Sequence, residues 1–300
     1  MTDARMIKCT NKAENVSVYL RRTTAAPWYL SDFTGLYGSD FDVLTGKNTL
    51  SDGAQYLSAR VKERNIVLTV TSRAAHRDSR ALLYRVFKPR SEGVLEYSDG
   101  TIARKIDYYA ESVSIESKGA RSDDSGVMVA TISLLCPDPF FYETGNRIAR
   151  MSTWMPAFIF KHEFSSAGEE FGYKAKEKIQ DIVNESGLDE IGMTVKVEAF
   201  GTVKNVSIIN ASTNAVCKVG TSDTPLEMVA GDVLEITSDN GGRHVWHTHE
   251  GVKKEINYFL SSDSQFLTLK AGHNVIGYNA ENGVDNLSVI IIYRMRYAGI

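Results

Sequence analysis

Three of the six histidines fall within six residues, His244-Val245-Trp246-His247-Thr248-His249. Imidazole ligates metal ions and changes charge near neutral pH, so a run of this kind is where chemistry is first sought. On a strand, His247 and His249 point to one face and His244 to the other. A three-histidine metal site therefore needs a bend, and spacing without further ligands is weak evidence for one. The preceding Asp239-Asn240-Gly241-Gly242 marks a surface turn, so the plainer expectation is an exposed polar hairpin, with a pH-sensitive contact as its functional variant.

A second cluster is basic. Between Arg60 and Arg90 stand nine Lys/Arg residues against only Glu63 and Asp78. Arg73, Arg77 and Arg80 follow helical spacing and are predicted to share one helix face. A nucleic-acid surface would interleave aromatic residues with these charges, and Tyr84 alone does not supply them. A solvated or subunit-facing helix is the expectation. The aromatic run Phe140-Phe141-Tyr142 is too short for a membrane anchor and reads as a plug between two domains or two subunits. Arg73, Arg77, Arg80, Phe140, Phe141 and Tyr142 are thus the candidate subunit or partner interface.

Catalytic signatures are missing from the sequence. It contains no Gly-x-Gly-x-x-Gly, no Walker loop, no Gly-x-Ser-x-Gly and no His-Glu-x-x-His. Asp123-Asp124 sits in a polar turn without apolar neighbours to raise a carboxyl pKa. No catalytic residue, cofactor or metal is assigned, and the chain reads as a non-enzyme.

The elements that would position these groups fill 300 residues, enough for two domains. Thirty-four basic and 37 acidic residues leave a net charge of −3, which argues against a dedicated nucleic-acid binder. No apolar run is long enough to span a bilayer, and the first residues lack a signal-peptide pattern. Cys9, Cys136 and Cys217 are an odd, widely spaced set, read as unconnected thiols in a reducing compartment. Strands are predicted at 16–20, 66–70 and 127–135, and an Asp99-Gly100 turn joins 94–96 to a long strand at 102–117. The stretch 74–87 is the one convincing helix, with Leu82, Leu83, Val86 and Phe87 on one face. Leu36 to Leu57 looks like a long excursion between strands. Cys136-Pro137-Asp138-Pro139 breaks regular structure, and the domain boundary is placed near Tyr142 to Asn146. Beyond it, short strands at 193–200, 203–209, 233–237, 266–269 and 287–293 predict a sandwich. The lysine- and glutamate-rich 173–190 is ambiguous, helical in composition but interrupted at Ser186-Gly187.

Several of these segments resemble one family. The strand and corner Ile132-Ser133-Leu134-Leu135-Cys136-Pro137-Asp138-Pro139-Phe140-Phe141-Tyr142 resembles the end of the first domain in distal tail proteins of long-tailed phages. Arg80 to Gly93, with Phe87-Lys88-Pro89, is similar to that family's helix and following hairpin. Ile208-Ile209-Asn210-Ala211-Ser212-Thr213, Gly231-Asp232-Val233-Leu234-Glu235-Ile236, Leu269-Lys270-Ala271-Gly272-His273-Asn274 and the closing Tyr293-Arg294-Met295-Arg296-Tyr297-Ala298-Gly299-Ile300 resemble later parts of it. The likeness covers nearly the whole chain, and the Pro-Asp-Pro-Phe-Phe corner is its most specific part.

The resemblance implies a mainly β protein. Residues 1–143 would form a ring-forming and belt domain with one α-helix, and residues 144–300 a galectin-like β-sandwich. It makes Tyr173 to Asn184 a strand region and Leu36 to Leu57 the candidate belt. It also implies a hexameric ring of copies of this chain, joining the major tail tube protein to baseplate or tail-tip proteins, with receptor-binding proteins as further partners. The location it implies is the virion tail tip, assembled in the bacterial cytoplasm from a phage or prophage. A lumen that passes DNA should not grip it, so the Arg60 to Arg90 charges should face subunits or acidic partners. Sugar binding is not carried over, because Trp246 and Glu250 lack a matching His-x-Asn-x-Arg strand. Two other classes are kept in view: a carbohydrate-binding module for cell-surface attachment built on the sandwich, and a metal enzyme at His244, His247 and His249.

Overall fold

The computed structural model describes residues 5–22, 28–47, 52–72, 77–118, 127–156, 172–176, 178–239 and 242–300. They divide into two compact units, Met1–Thr144 with Arg296–Ile300, and Gly145–Met295. The last five residues of the chain thus belong to the first unit.

The first unit runs β1 (Met6–Asn11), β2 (Val16–Arg21), β3 (Trp28–Thr34), β4 (Phe41–Gly46), β5 (Gln55–Val61), β6 (Arg64–Ser72), α1 (Arg77–Val86), β7 (Glu92–Ser98), β8 (Ala103–Lys118), β9 (Val127–Cys136) and β10 (Phe141–Glu143). Strands β8, β7, β1, β2, β3, β6 and β9 pair in that order, and β9 pairs back onto β8. The sheet is therefore a closed barrel, which removes the exposed edges an open sheet would carry. β6 shows why these sequences close: every second residue, from Arg64 through Ile66, Leu68 and Val70 to Ser72, points inward. Trp28, Leu20, Ile106, Tyr108 and Ile132 fill the interior with their neighbours. The helix has the predicted face, with Leu83, Val86 and Phe87 buried in the same core. In the β7–β8 turn the Asp99 carboxylate accepts the Thr101 and Ile102 amides at 2.9 and 2.7 Å, and Gly100 takes φ +90°.

The second unit runs β11 (Arg147–Arg150), β12 (Ser152–Pro156), β13 (Gly172–Lys176), β14 (Ile179–Asn184), β15 (Glu190–Ala199), β16 (Val203–Asn210), β17 (Ala215–Val219), β18 (Glu227–Met228), β19 (Val233–Thr237), β20 (His244–His249), β21 (Val252–Glu255), β22 (Thr268–Lys270), β23 (Gly272–Asn282) and β24 (Leu287–Tyr293). One antiparallel sheet has the order β11-β24-β15-β19-β20-β21 with β22 on β15, and a second has β14-β23-β16-β17 with β18 on β16. Alternate residues of β15, β16, β19 and β24 are buried, the pattern of sheets with one buried face. The helical composition of 173–190 is misleading. Its residues form β13 and β14, and β14 is an edge strand of its sheet, where polar side chains meet water.

The motifs of the family resemblance acquire a physical reason here. Asn210 and Asn274 are fully buried, and the Asn210 amide donates to the Thr268 carbonyl and to Asn274 Oδ1, each at 3.2 Å. The Asn274 amide donates to the Lys270 and Gly272 carbonyls at 2.7 and 2.9 Å, and its oxygen accepts the Lys270 amide. These two side chains satisfy the backbone where β22 turns into β23 next to β16, so an apolar substitute would leave buried groups unpaired.

Candidate assembly surfaces and a histidine-lined cavity

The excursion at 36–57 is not a loop. Leu36 is buried in the barrel core, and β4 pairs with β5 as a separate sheet that, among the described residues, no other strand joins. The hairpin extends to Val61, so Arg60 belongs to it and Lys62 follows its last residue. Pairing sets Phe41 opposite Val61 and Val43 opposite Ala59, which puts four apolar side chains on one face. Phe41, Val43, Leu44, Tyr56 and Leu57 are each more than half exposed. A lone two-stranded hairpin is marginally stable in water, and an exposed apolar strip on it marks a contact surface.

The arm is anchored at its root by Arg64, which the sequence reading counted among the basic charges and did not single out. Its guanidinium is buried. Nε donates to the Pro139 carbonyl at 2.7 Å and Nη1 to the Gly35 carbonyl at 2.6 Å, with a further bond to Gly38. Nη2 donates to Ser39 Oγ at 2.6 Å and to the Ala298 carbonyl. All five N–H donors of the fork are used. The plane also lies over the Phe141 ring, 5.0 Å from its centroid. Burial pulls the Arg64 pKa down, and nearby negative groups, Asp40 among them, oppose it. Gly35 is required beside this clamp: it has φ +82°, and a Cβ there would stand 2.0 Å from the Asn65 carbonyl oxygen.

The proline corner and the end of the chain meet in the same region. Arg296 binds both carboxylate oxygens of Asp138 and lies 4.9 Å from the Phe140 ring centroid. Phe141 and Tyr142 of β10 pair with β25 (Arg296–Tyr297), whose Tyr297 hydroxyl bonds to Glu143 at 3.0 Å. Two of the resemblance motifs, far apart in sequence, are therefore partners.

This geometry places the residues of the interface predicted from sequence. Phe141 is fully buried in the core of its own unit. Phe140 and Tyr142 are half-buried, Phe140 under Arg296 and Tyr142 with its hydroxyl on Asp107 at 2.9 Å. Arg73 lies outside the described residues, as does the side chain of Arg77, while Arg80 is half-buried on α1. The basic run is not one face. Asp42 binds Arg60 and Lys62, Glu14 binds Arg85 and Lys88, and Arg64 is buried. Asp123-Asp124 lies outside the described residues. Cys9, Cys136 and Cys217 are buried free thiols, and burial raises the pKa of each.

The histidine run forms β20, and its strand periodicity separates the rings as expected. His244 Nδ1 lies 2.6 Å from Glu255, whereas His247 Nε2 and His249 Nδ1 reach the two oxygens of Asp232 at 3.2 and 2.7 Å. Among the described residues no group of three or more His, Cys, Asp or Glu is arranged to hold a metal ion. Asp232, in the turn before β19, was not foreseen as the partner of these rings. It is buried, and its carboxyl is held below the usual range: desolvation pushes the pKa up, and bonds from the Val229 amide, His249 and His247 outweigh it. A depressed folded pKa gives stability that is present above the ordinary value, about 4, and lost as pH falls through the folded value. Asp232→Asn is expected to cost ~1–2 kcal/mol at pH 7 and to flatten the acid side of the melting-temperature profile. Parallel profiles for the two proteins would remove Asp232 from this role. A cavity of about 560 Å³ opens beside His247 and His249.

No protein-family model matches the sequence, and no curated protein matches it. Solved structures do share the fold. The SPP1 Dit (gp 19.1) protein, described as a paradigm of the hub adsorption apparatus in phages infecting Gram-positive bacteria, aligns at a TM-score of 0.64 and 10% identity. The alignment covers 97% of this chain and 98% of that one. A chain of the phage P2 baseplate in its activated conformation with Ca aligns at 0.52 and 10% identity, over 99% of both chains. The form with Sr gives 0.52 and 11%, again over 99% of both. The chain thus has the fold of phage hub and baseplate proteins from end to end.

Proposed function

We propose that this chain is a distal tail protein, a structural component that assembles with copies of itself into a ring joining the tail tube to baseplate or tail-tip proteins. The observation that carries the reading is the β4–β5 arm, a hairpin whose large apolar side chains Phe41, Val43, Leu44, Tyr56 and Leu57 are each more than half exposed. A closed barrel offers few free edges, so a projecting arm is a natural means of reaching a neighbour. A patch on one copy that meets a different patch on the next gives a heterologous contact, which closes into a ring when the rotation allows. The end-to-end likeness to hub and baseplate chains supports the same reading. Six copies, a tail-tube protein on one side, baseplate and receptor-binding proteins on the other, and assembly in the host cytoplasm are the finer parts of the proposal. The work is done by surfaces and not by a catalytic centre. Light scattering of the purified chain is expected to give a mass several times the 33.2 kDa subunit, with rings in negative stain. A strict monomer at all concentrations, and on mixing with tail-tube protein, would refute it.

A further inference from the structure

The cavity beside β20 has a chemistry that ring assembly does not use. His247 Nε2 and His249 Nδ1 both face the buried Asp232 carboxylate, which accepts from them and fixes both ring planes. Glu227, Glu250 and Lys254 also line the cavity, and among the described residues none of the three is in an ion pair. The wall therefore offers donors and acceptors side by side and has no excess of positive charge, which disfavours a phosphate or other anion.

The last wall is aromatic. Tyr258 is 74% exposed, the highest value of any large apolar side chain among the described residues. It sits in the 3-10 turn Asn257–Phe259, held from three sides. Asn257 Oδ1 accepts the Val245 amide at 2.7 Å, the Phe259 amide donates to the Ile256 carbonyl, and the Phe259 carbonyl accepts the Gly220 amide. The Phe259 ring packs 4.7 Å from that of Tyr258, centroid to centroid. A large ring displayed on a fixed turn at the edge of a cavity that mixes these polar groups with apolar Leu226, Val252 and Ile256 is a platform that the fold itself does not need.

We infer that this cavity is a saccharide-binding subsite, additional to the structural role and independent of it. A pyranose has a face of C–H groups that can lie on Tyr258 and a rim of hydroxyls that both donate and accept. That combination matches an aromatic platform beside carboxylates, an ammonium group and two orientation-locked imidazoles. The inference rests on this cavity alone and does not depend on how copies of the chain assemble.

The test is ligand-observed saturation-transfer NMR on the full chain, with N-acetylglucosamine, methyl glucoside, methyl galactoside and maltose as probes. At least one probe is expected to bind saturably in the millimolar range. Tyr258→Ala should weaken it about tenfold or more, equivalent to ~1.4 kcal/mol, and Glu250→Gln should weaken it by a smaller factor. Both positions are exposed, so melting temperature and mass in solution should not change. Absence of transfer to any probe at about 50 mM, or equal binding by wild type and Tyr258→Ala, overturns the inference. Neither result bears on ring formation, which light scattering reads separately.

Discussion

Arg64→Met is expected to destabilise the barrel unit by on the order of 3 kcal/mol, a fall of about 10 °C in its melting midpoint. Methionine keeps most of the aliphatic stem, so the loss reports the guanidinium. Four carbonyls and the Ser39 hydroxyl would lose a donor at once, although the Ala298 carbonyl keeps the Ser39 hydroxyl at 2.9 Å. They belong to three segments that this one side chain ties together: the root of the arm at Gly35, Gly38 and Ser39, the corner at Pro139, and the returning C-terminus at Ala298. Each buried acceptor left unpaired costs about 1–3 kcal/mol, and those that water reaches cost less. Arg64→Lys keeps the charge but offers one compact ammonium in place of a planar fork, so it should recover only a minor part of the loss. Hydrogen exchange supplies the second readout. The amide of Lys62, which donates to the Asp40 carbonyl at 2.9 Å, should exchange faster in Arg64→Met, while core amides of β6 change only with global stability. A melting midpoint within about 2 °C of wild type would show that the five bonds do not matter.

Much of the fold was legible because strand signals are local. The alternation at 66–70, the Asp99-Gly100 turn and the β-branched run at 127–135 each specify their element without reference to the rest of the chain. The helix was legible for the same reason, since Leu83, Val86 and Phe87 repeat on one face. The proposed assembly surface was legible only in part: the resemblance placed a belt at 36–57, but which side chains stay exposed there depends on pairing. Phe41, Val43 and Phe141 are all large apolar residues near strands, and only the pairing shows that the first two are exposed on an arm and the third is enclosed. The charges misled in a related way. Arg60, Lys62, Arg85 and Lys88 look like a basic surface in sequence, but their carboxylate partners Asp42 and Glu14 lie outside that run and are brought in by strand pairing or folding. Arg64 carries the same charge and yet is an interior clamp. Asp232 was unreadable as the partner of His247 and His249 because β19–β20 pairing creates that contact. One signal was available: histidines at alternate positions share a strand face, so a buried acceptor on the neighbouring strand is a reasonable thing to seek.

The triple change Phe41→Thr, Val43→Thr, Val61→Thr is expected to leave the subunit folded and to abolish its self-association. The three side chains lie on one face of the arm, with Phe41 directly opposite Val61, so the change removes the three larger of that face's four apolar side chains, leaving Ala59, without touching the opposite face of Asp42 and Arg60. Threonine retains the β-branched shape that strands favour, so the hairpin itself should persist. Phe41 and Val43 contribute little to the core of their own chain, because each is more than half exposed, and exposed substitutions usually change stability by no more than about 0.5 kcal/mol. In an assembled ring the same atoms would be out of water. Burying an apolar side chain of this size contributes ~1.5–3 kcal/mol, and together the three would supply at least ~4 kcal/mol per contact, about a thousandfold in affinity. The two expectations pull apart cleanly. Circular dichroism and melting temperature should match wild type, while light scattering should move from the assembled mass to that of the subunit. An unchanged assembled mass would place the self-contact elsewhere on the chain. A subunit that unfolds would show that the strip packs on its own barrel, which its exposure argues against.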